Sequence, residues 1–397
     1  MKTFFRLLRT QPARLLLMLA LSFTSACSAA QGATATPFRP QITIVAPTMA
    51  PAETATEAVA ATPATAPAAT ETAAPTTVAT EAAAAGLPAG ANPYTGLPVP
   101  AEVLARKPLL IKVANTAEVR PQSGLSEADV VVEHLSEGGI TRFTSLFLTN
   151  APKKVGSVRS CRLIDLELPA IFDAALVCSG TSPGVKPLMR NSFAHKNELT
   201  MISDFGPYEC ASCPMFRTSG RSAPHNLFGN AVNAWKELDK RDRNVPSTFK
   251  AWDFAEAPGT DGKVTTAVEV AYKSGVVGWT YDATKLRWLR SLSAKQQVDA
   301  NSGQPLAFAN VVLVYAPHVT TLIQEDVTGA RSIEVQVWGE GPVRVFRDGR
   351  EYGGKWVRNA EVGSFELIDP TGKRIPLKPG NTWIEMVPLT GVDVGTR

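Results

Sequence analysis

Apolar positions fall in short runs bounded by turn residues along most of the chain, a pattern of buried strands rather than long amphipathic helices. Strands are predicted at Leu109–Asn115 (LLIKVAN), Asp129–Ser136 (DVVVEHLS) and Thr141–Thr149 (TRFTSLFLT). The last two are joined across the glycine turn Glu137-Gly138-Gly139. A short strand starts at Val155, and a loose helical spacing follows from Ser160 as N-cap to Ala174, bent at Pro169. AALVCSG (174–180) reads as another buried strand and LTMISDF (199–205) as a short one. The strongest helical pattern is SAPHNLFGNAVNAWKELDK (222–240), with Pro224, His225 and Asn226 in the first turn and Leu227, Ala231, Trp235 and Leu238 on one face. From about Val264 the texture becomes β throughout. Strands are expected at AVEVAY, GWTYDA, LRWLRSL, NVVLVYA, SIEVQVWG, PVRVFRDG, KWVR, SFELID and TWIEMVP. The predicted class is α+β: an N-terminal mixed α/β domain (92–250) with helices covering a mixed sheet, and a β-rich C-terminal domain (264–390) packed against it.

The first 91 residues follow a different logic. Lys2, Arg6, Arg9 and Arg14 precede an apolar run from Leu15 to Phe23, a charged and then a hydrophobic region of the kind that directs export. The run is too short for a permanent membrane span. It ends in TSAC, so 1–27 is predicted to be a lipoprotein signal peptide with Cys27 as the lipid-bearing residue, although Thr24 stands where leucine is usual. The alternative is an ordinary secretory signal cleaved near the same place. Residues 28–91 are almost wholly Ala, Thr and Pro, a low-complexity linker with too little bulky apolar surface to offset its chain entropy. The predicted location is outside the cytoplasm, anchored to the outer face of the membrane.

That location changes how charge and cysteine are read. The formal net charge is +4. It falls to zero without the leader's four cations, and with Arg39 set against Glu53, Glu57, Glu71 and Glu81 the remainder from Asn92 is about +3. This is no nucleic-acid footprint. Beyond Cys27, the even set Cys161, Cys178, Cys210 and Cys213 favours disulfides in an oxidising compartment. Pairing Cys161 with Cys178 leaves Cys210 and Cys213 to close a tight loop, but three connectivities remain open. Zinc fits poorly, since one pair alone has the CxxC spacing, and no metal or cofactor is expected.

Candidate chemistry gathers in EGGITRFTSLFLTNAPKKVGSVRSCR (137–162). Arg159, Ser160 and Arg162 fall where a strand is predicted to feed a helix N-terminus, a place that favours anions, and guanidinium binds phosphate or carboxylate in a forked manner. Arg142 starts the neighbouring strand. If the second predicted helix start converges on the first, the ligand-binding set is Glu137, Arg142, Arg159, Ser160, Arg162, Asp165, Ser182, His225 and Asn226. The plainer alternative is a set of ion pairs: Glu137 with Arg142, Asp165 with Arg162 or Arg159, and His225 as a cap. GTSPG (180–184) matches a nucleophile-elbow pattern around Ser182. The next residue, Pro183, lacks the N–H that an oxyanion hole needs there, so Ser182 is expected to offer a hydroxyl at the pocket's edge. Glu133 with Glu137 would suit glycoside hydrolysis, but no second convergent acid supports it. His134, His195 and His318 read as structural.

NPYTGLP, IKVANTAEVRPQSGLSEADVVVEHLSEGGITRF, KKVGSVRSCRLIDLEL, CSGTSPG and APHN resemble the N-terminal domain of the YerB-like family of bacterial lipoproteins. ANVVLVY, GEGPVRVFRDGREYGGKW and KPGNTWIEMVP resemble its C-terminal domain. The resemblance implies an α+β domain with a β-rich partner at the outer face of a bacterial membrane, and it names no activity. The shared motifs fall on Arg120, Gln122, Ser123, Gly124, Asp129, Glu133, Glu137, Gly138, Gly139, Arg142, Arg159, Ser160 and Arg162, and on Ser182, His225 and Asn226. The four cysteines are not part of that pattern, and Val298 stands where the family commonly carries histidine. The expected function is a binding module for an anionic glycan or phosphate ligand of the cell envelope. The alternatives are an envelope enzyme acting on a phosphate-linked precursor, with Glu137 or Asp165 as base, and a scaffold that meets an envelope protein partner.

Overall fold

A mixed eleven-stranded sheet runs through both halves of the chain. The computed structural model describes residues 87–397, so Cys27, the leader and most of the linker lie outside the described residues. Along the sheet the strand order is Glu366–Ile368, Arg350–Arg358, Gly339–Arg347, Asn310–Ala316, Thr382–Pro388, Val130–Leu135, Thr141–Phe147, Leu109–Ala114, Ala175–Cys178 and Thr200–Ile202, with Lys263–Val264 beside Arg350–Arg358. The class is α+β, and the β-rich C-terminal segment packs against the N-terminal one. The junction itself is a parallel ladder, with Val130 facing Thr382 and Glu133 facing Glu385.

Side-chain alternation gives each face of this sheet its own core. Leu110, Val132, Leu146, Ile384 and Met386 point to one face, where they meet Phe172, Phe249, Trp252 and Trp356. Ile111, Val131, Phe143 and Trp383 point to the other. There they meet the helix Ala231–Asp239 through Ala231, Ala234, Trp235 and Leu238, and a second, six-stranded sheet through Val268, Trp279 and Trp288.

The predicted strands recur, most with their ends moved by a residue or two; GWTYDA and PVRVFRDG begin three residues earlier and KWVR five, while LTMISDF ends three residues sooner and SIEVQVWG four. The predicted helix over 222–240 does not. Leu227–Gly229 is a strand, and the helix starts at Ala231 with the Asn230 side chain accepting from Asn233 N. Pro224, His225 and Asn226 therefore lie outside any helix. The apolar spacing that suggested one face over the whole segment comes from a strand and a helix buried in the same core. The other predicted helix is a 3-10 turn, Leu163–Leu166, followed by Leu168–Phe172. Its N-cap is Arg162 and not Ser160, and Asp165 within the turn reaches back so that its Oδ2 accepts from Arg162 N at 2.7 Å. The strand His318–Gln324, missed in the sequence, pairs with Arg331–Val335 to form a separate hairpin.

Two disulfides, Cys161–Cys178 and Cys210–Cys213, join the four cysteines, with Cα separations of 5.7 and 4.8 Å. The first is buried and ties the turn after Arg159 to the end of a sheet strand. The second closes a loop at the surface, where Cys210 is exposed.

Between the sheets lies a buried charge cluster. Arg290 donates to Glu133 Oε2 at 2.6 Å, and both side chains are fully buried. Its guanidinium stacks over Phe143, Trp279 and Trp383. Glu385, beside Glu133, accepts from Trp279 Nε1 and Tyr272 Oη at 2.8 and 3.1 Å. Burial, then the Glu133 charge, push the Glu385 carboxyl up to about 8, so it is a neutral acid at physiological pH.

Two predictions follow from this packing. A carboxyl whose pKa is raised by folding contributes stability that is lost as pH rises from the unfolded value through the folded one. Wild type should therefore lose stability between about pH 5 and 8 relative to Glu385→Gln, which mimics the neutral acid; urea midpoints at pH 5, 7 and 9 measure the difference. Replacing Cys161 and Cys178 together by alanine should cost about 3 kcal/mol, the value for a loop of this length, whereas Cys210→Ser with Cys213→Ser should leave the melting temperature nearly unchanged.

Candidate functional site

Seven strands of the large sheet run in the same direction, and their carboxyl ends lie along one edge of it. In open sheets of parallel strands this edge is where ligands are usually held. The chain leaves Val130–Leu135 there through Ser136 and Glu137, and returns as Arg142. Arg159 is fixed against the end of Leu109–Ala114, with its N–H donating to Lys112 O at 3.1 Å and its carbonyl accepting from Ser179 N at 3.1 Å. Sheet topology alone thus brings Glu137, Arg142, Arg159, Ser160 and Arg162 together.

Glu137 organises the cluster. It accepts from Arg142 Nη2 at 2.6 Å and from Arg162 Nε at 2.7 Å, with Arg162 Nη2 on the same carboxylate and Ser136 Oγ on its other oxygen. Burial opposes the Glu137 charge, but the Arg162 hydrogen bonds and the charges of Arg142 and Arg162 outweigh it and hold the carboxyl well below its usual range. Arg142 Nη1 also donates to Ser160 O at 2.8 Å. The hairpin Asp326 closes, missed in the sequence, supplies Glu325, whose Oε2 lies 3.3 Å from Arg162 Nε. Arg159 differs from its two neighbours. Its side chain is half-buried, beside Arg162 and Glu137, yet among the described residues its guanidinium makes no hydrogen bond or ion pair. Three guanidiniums thus face two carboxylates.

Beneath them a second layer is fully buried. Lys112 Nζ lies 2.7 Å from Asp165 Oδ2 and 2.6 Å from His134 Nε2, and donates to Thr144 Oγ1 at 3.1 Å. His134 Nδ1 lies 3.0 Å from Leu135 O, so Nδ1 carries the proton and Nε2 accepts from the ammonium. Burial pulls Lys112 down to about 8 against the raising effect of Asp165. Burial, then the Lys112 charge, push His134 well below its ordinary value. The sequence carried a signal for this layer: a lysine inside a run as apolar as LLIKVA must find an acid.

The remaining predicted site residues are placed as follows. Asp165 is committed to Lys112 and to the Arg162 N–H, so it is a support beneath the arginines and does not face a ligand. Ser182 is buried, and its Oγ accepts from Val185 N at 3.4 Å, closing a turn. His225 and Asn226 sit beside the small three-stranded sheet. The His225 carbonyl accepts from Ser157 Oγ, and Asn226 Oδ1 accepts from Arg217 at 2.9 Å. No hydrogen bond or ion pair among the described residues links either of them to the arginines. The short 3-10 turn after Arg162 supplies no free helix end for an anion, which leaves the side chains to do that work.

Several shared-motif residues prove to be fold determinants. Asp129 accepts from Leu148 N and Thr149 N at 2.6 and 2.9 Å and closes the far end of the sheet. Gly124 has φ +85° with Lys154 O 3.0 Å from where a Cβ would stand, so a side chain there would be strained as well as crowded.

Residues 94–244 match the N-terminal domain, and 268–384 the C-terminal domain, of the family described as "Protein of unknown function (DUF3048)". A relative from Bacillus subtilis (strain 168), "Putative lipoprotein YerB", is 30% identical over 301 residues, covering 75% of this chain and 86% of the relative. The crystal structure of the Bacillus subtilis YerB protein superposes with a TM-score of 0.64 at 27% identity, covering 77% of this chain and 99% of that one. With both domain types matched in order and the shared length this large, the chain belongs to the YerB-like (DUF3048) family.

Proposed function

We propose that this protein is an extracytoplasmic, membrane-anchored lipoprotein that binds an anionic ligand of the cell envelope, a phosphate or a glycan carboxylate, through Arg159. The observation that carries the reading is the state of that side chain: a half-buried guanidinium with no partner of its own, at the carboxyl edge of the sheet, beside two arginines that share one carboxylate. Glu137 orients Arg142 and Arg162, and with three guanidiniums facing two carboxylates one positive charge is left over, so an anion at Arg159 gains a forked contact and balances that charge. Ser160 is half-exposed next to it. Export and anchoring rest on the leader, on Cys27 and on the name of the Bacillus relative.

Binding is favoured over turnover by the condition of the two acids an enzyme would use as base. Glu137 is held ionised by two guanidiniums and Asp165 is sealed against Lys112. A general base needs a pKa near the working pH and reach to the substrate.

The test is thermal melting of the full chain with pyrophosphate, glycerol phosphate and glucuronate, each beside Arg159→Ala. An anion present at a hundredfold its Kd should stabilise wild type by about 2.7 kcal/mol, and the shift should vanish in the variant. No shift with any anion, or the same shift in Arg159→Ala, would sink the reading. Glu137→Gln leaves two largely buried guanidiniums without their carboxylate and should cost about 3 kcal/mol. If Glu137 occupies the place of an anion, phosphate should restore more of that loss than an equal ionic strength of chloride.

A further inference from the structure

The two disulfides lie in opposite surroundings. Cys161–Cys178 is fully buried and joins residues 17 apart in sequence. Cys210–Cys213 joins residues 3 apart at the surface, where Cys210, Ala211 and Ser212 are exposed and Cys213 is half-buried. The turn that carries the second pair is shaped without it. Cys210 N donates to Met215 O at 3.0 Å, Met215 N to Tyr208 O at 3.0 Å, and Cys213 N to Cys210 O at 3.1 Å. The start of the helix Ala231–Asp239 anchors it further, with Asn233 Nδ2 donating to Cys213 O at 3.1 Å and Asn230 N to Pro214 O at 2.8 Å. The dithiol form is provided for as well. Cys213 Sγ lies 3.4 Å from Pro207 O, and Cys210 Sγ lies 3.5 Å from Ser212 Oγ. A weak S–H donor can use these acceptors without any movement of the chain.

Chain entropy separates the two pairs in the same sense. A cross-link gains with the logarithm of the loop it closes, and this alone makes the bond of the longer loop roughly tenfold harder to reduce. Burial then withholds Cys161–Cys178 from any attacking thiolate, whereas exposed disulfides are the labile ones. We infer that Cys210–Cys213 is a reversible redox site that takes electrons from a dithiol, and that Cys161–Cys178 is a permanent staple. One thiolate of the dithiol attacks Sγ of Cys210, the more exposed residue of the pair. The bond to Cys213 breaks, and Cys213 leaves as a thiolate and takes up a proton. The second thiol of the dithiol then loses its proton, attacks its own partner sulfur in the mixed disulfide and releases Cys210. Two electrons pass to the protein, and the dithiol becomes a cyclic disulfide. The turn opens no helix, where the attacking cysteine of an exchange catalyst sits, so the pair is placed as a substrate of exchange. Arg159 and its neighbours take no part.

The test is to equilibrate the folded full chain with dithiothreitol at stepped ratios of reduced to oxidised reagent, quench with acid, alkylate and map the thiols by mass. Cys210–Cys213 should open at a ratio at least tenfold lower than Cys161–Cys178 requires. The protein opened at Cys210–Cys213 alone should still melt cooperatively, and oxidised reagent should close the bond again. Single variants test the direction of attack. The free Cys210 of Cys213→Ser should form a mixed disulfide with oxidised glutathione about tenfold faster than the free Cys213 of Cys210→Ser, as its greater exposure requires. Failure of Cys210–Cys213 to open in the folded chain, or opening of both pairs at one ratio, would overturn the proposal. So would loss of cooperative melting when Cys210–Cys213 alone is open, since the pair would then be structural. Equal rates for the two single variants would overturn the assignment of Cys210 as the attacked sulfur.

Discussion

The parallel pairing of Val130–Leu135 with Thr382–Pro388 is the constraint on which the rest of the structure depends. It joins strands from opposite ends of the folded chain, and Trp383 reaches a carboxylate 250 residues away. A ladder of backbone bonds fixes register but does not choose it. The choice comes from what each face must bury. One residue of slip would carry Glu133 and Glu385 from the Arg290 face into the apolar core on the opposite side, and would bring Val132 and Ile384 onto the charged one. Buried charge is an expensive way to hold two segments together, but it admits a single register. Arg290 comes from the second sheet, so the same cluster also fixes how that sheet lies on the first.

With that register set, the other end of the same strands becomes a place where charge collects. Glu137 follows the strand that carries Glu133, and Arg142 begins its antiparallel neighbour. The hairpin bearing Glu325 leaves the end of Asn310–Ala316, which pairs with the seam strand Thr382–Pro388. The arginine cluster is thus built from both halves of the chain and exists only when they share the sheet. The buried Cys161–Cys178 bond acts on the same corner, holding the turn that carries Arg159, Ser160 and Arg162 to the end of the next strand, Ala175–Cys178. In this sense the staple, the seam and the cluster are one device for rigidity at the sheet's carboxyl edge.

How much of this was legible follows from the range of the forces involved. Strands were legible because a short apolar run between turn residues is written locally, and Leu109–Ala114, Val130–Leu135 and Thr382–Pro388, buried on both faces, all appear where such runs place them. Glu137, Arg142, Arg159 and Arg162 were legible as a group because one hairpin and one turn bring them close. Glu325 was not, since it arrives from more than 160 residues downstream on a strand too polar to announce itself. The 222–240 helix failed because burial, which is what apolar spacing reports, does not distinguish three strand residues from a helical turn when both enter one core. Asp165 was read as a pocket acid because nothing local says that Lys112 lies beneath it, although the lysine's own apolar setting demanded such an acid. The misplacement of His225 and Asn226 is the same error as the helix, carried forward to the site.

If the cluster holds an anion as proposed, its charge arithmetic bears on how that anion would be held. A carboxylate shared between Arg142 and Arg162 already supplies what an anion would supply to them, so these two side chains are held in place whether or not a ligand is present. Fixed donors lose little freedom on binding, and the gain from a ligand is then mostly retained. Arg159 carries the uncompensated charge, and it stands at a half-exposed position rather than in the sealed layer with Lys112. A fully buried guanidinium without a partner would be costly enough to move or to unfold its surroundings, whereas water can hold a half-exposed one until an anion displaces it. The sealed Lys112–His134–Asp165 layer fits this division of labour. It answers its own charges internally and leaves the one surplus charge of the surface layer, that of Arg159, uncancelled. A ligand would then add one contact to a site that is otherwise complete, which matches reversible capture better than chemistry requiring an acid and a base to change state.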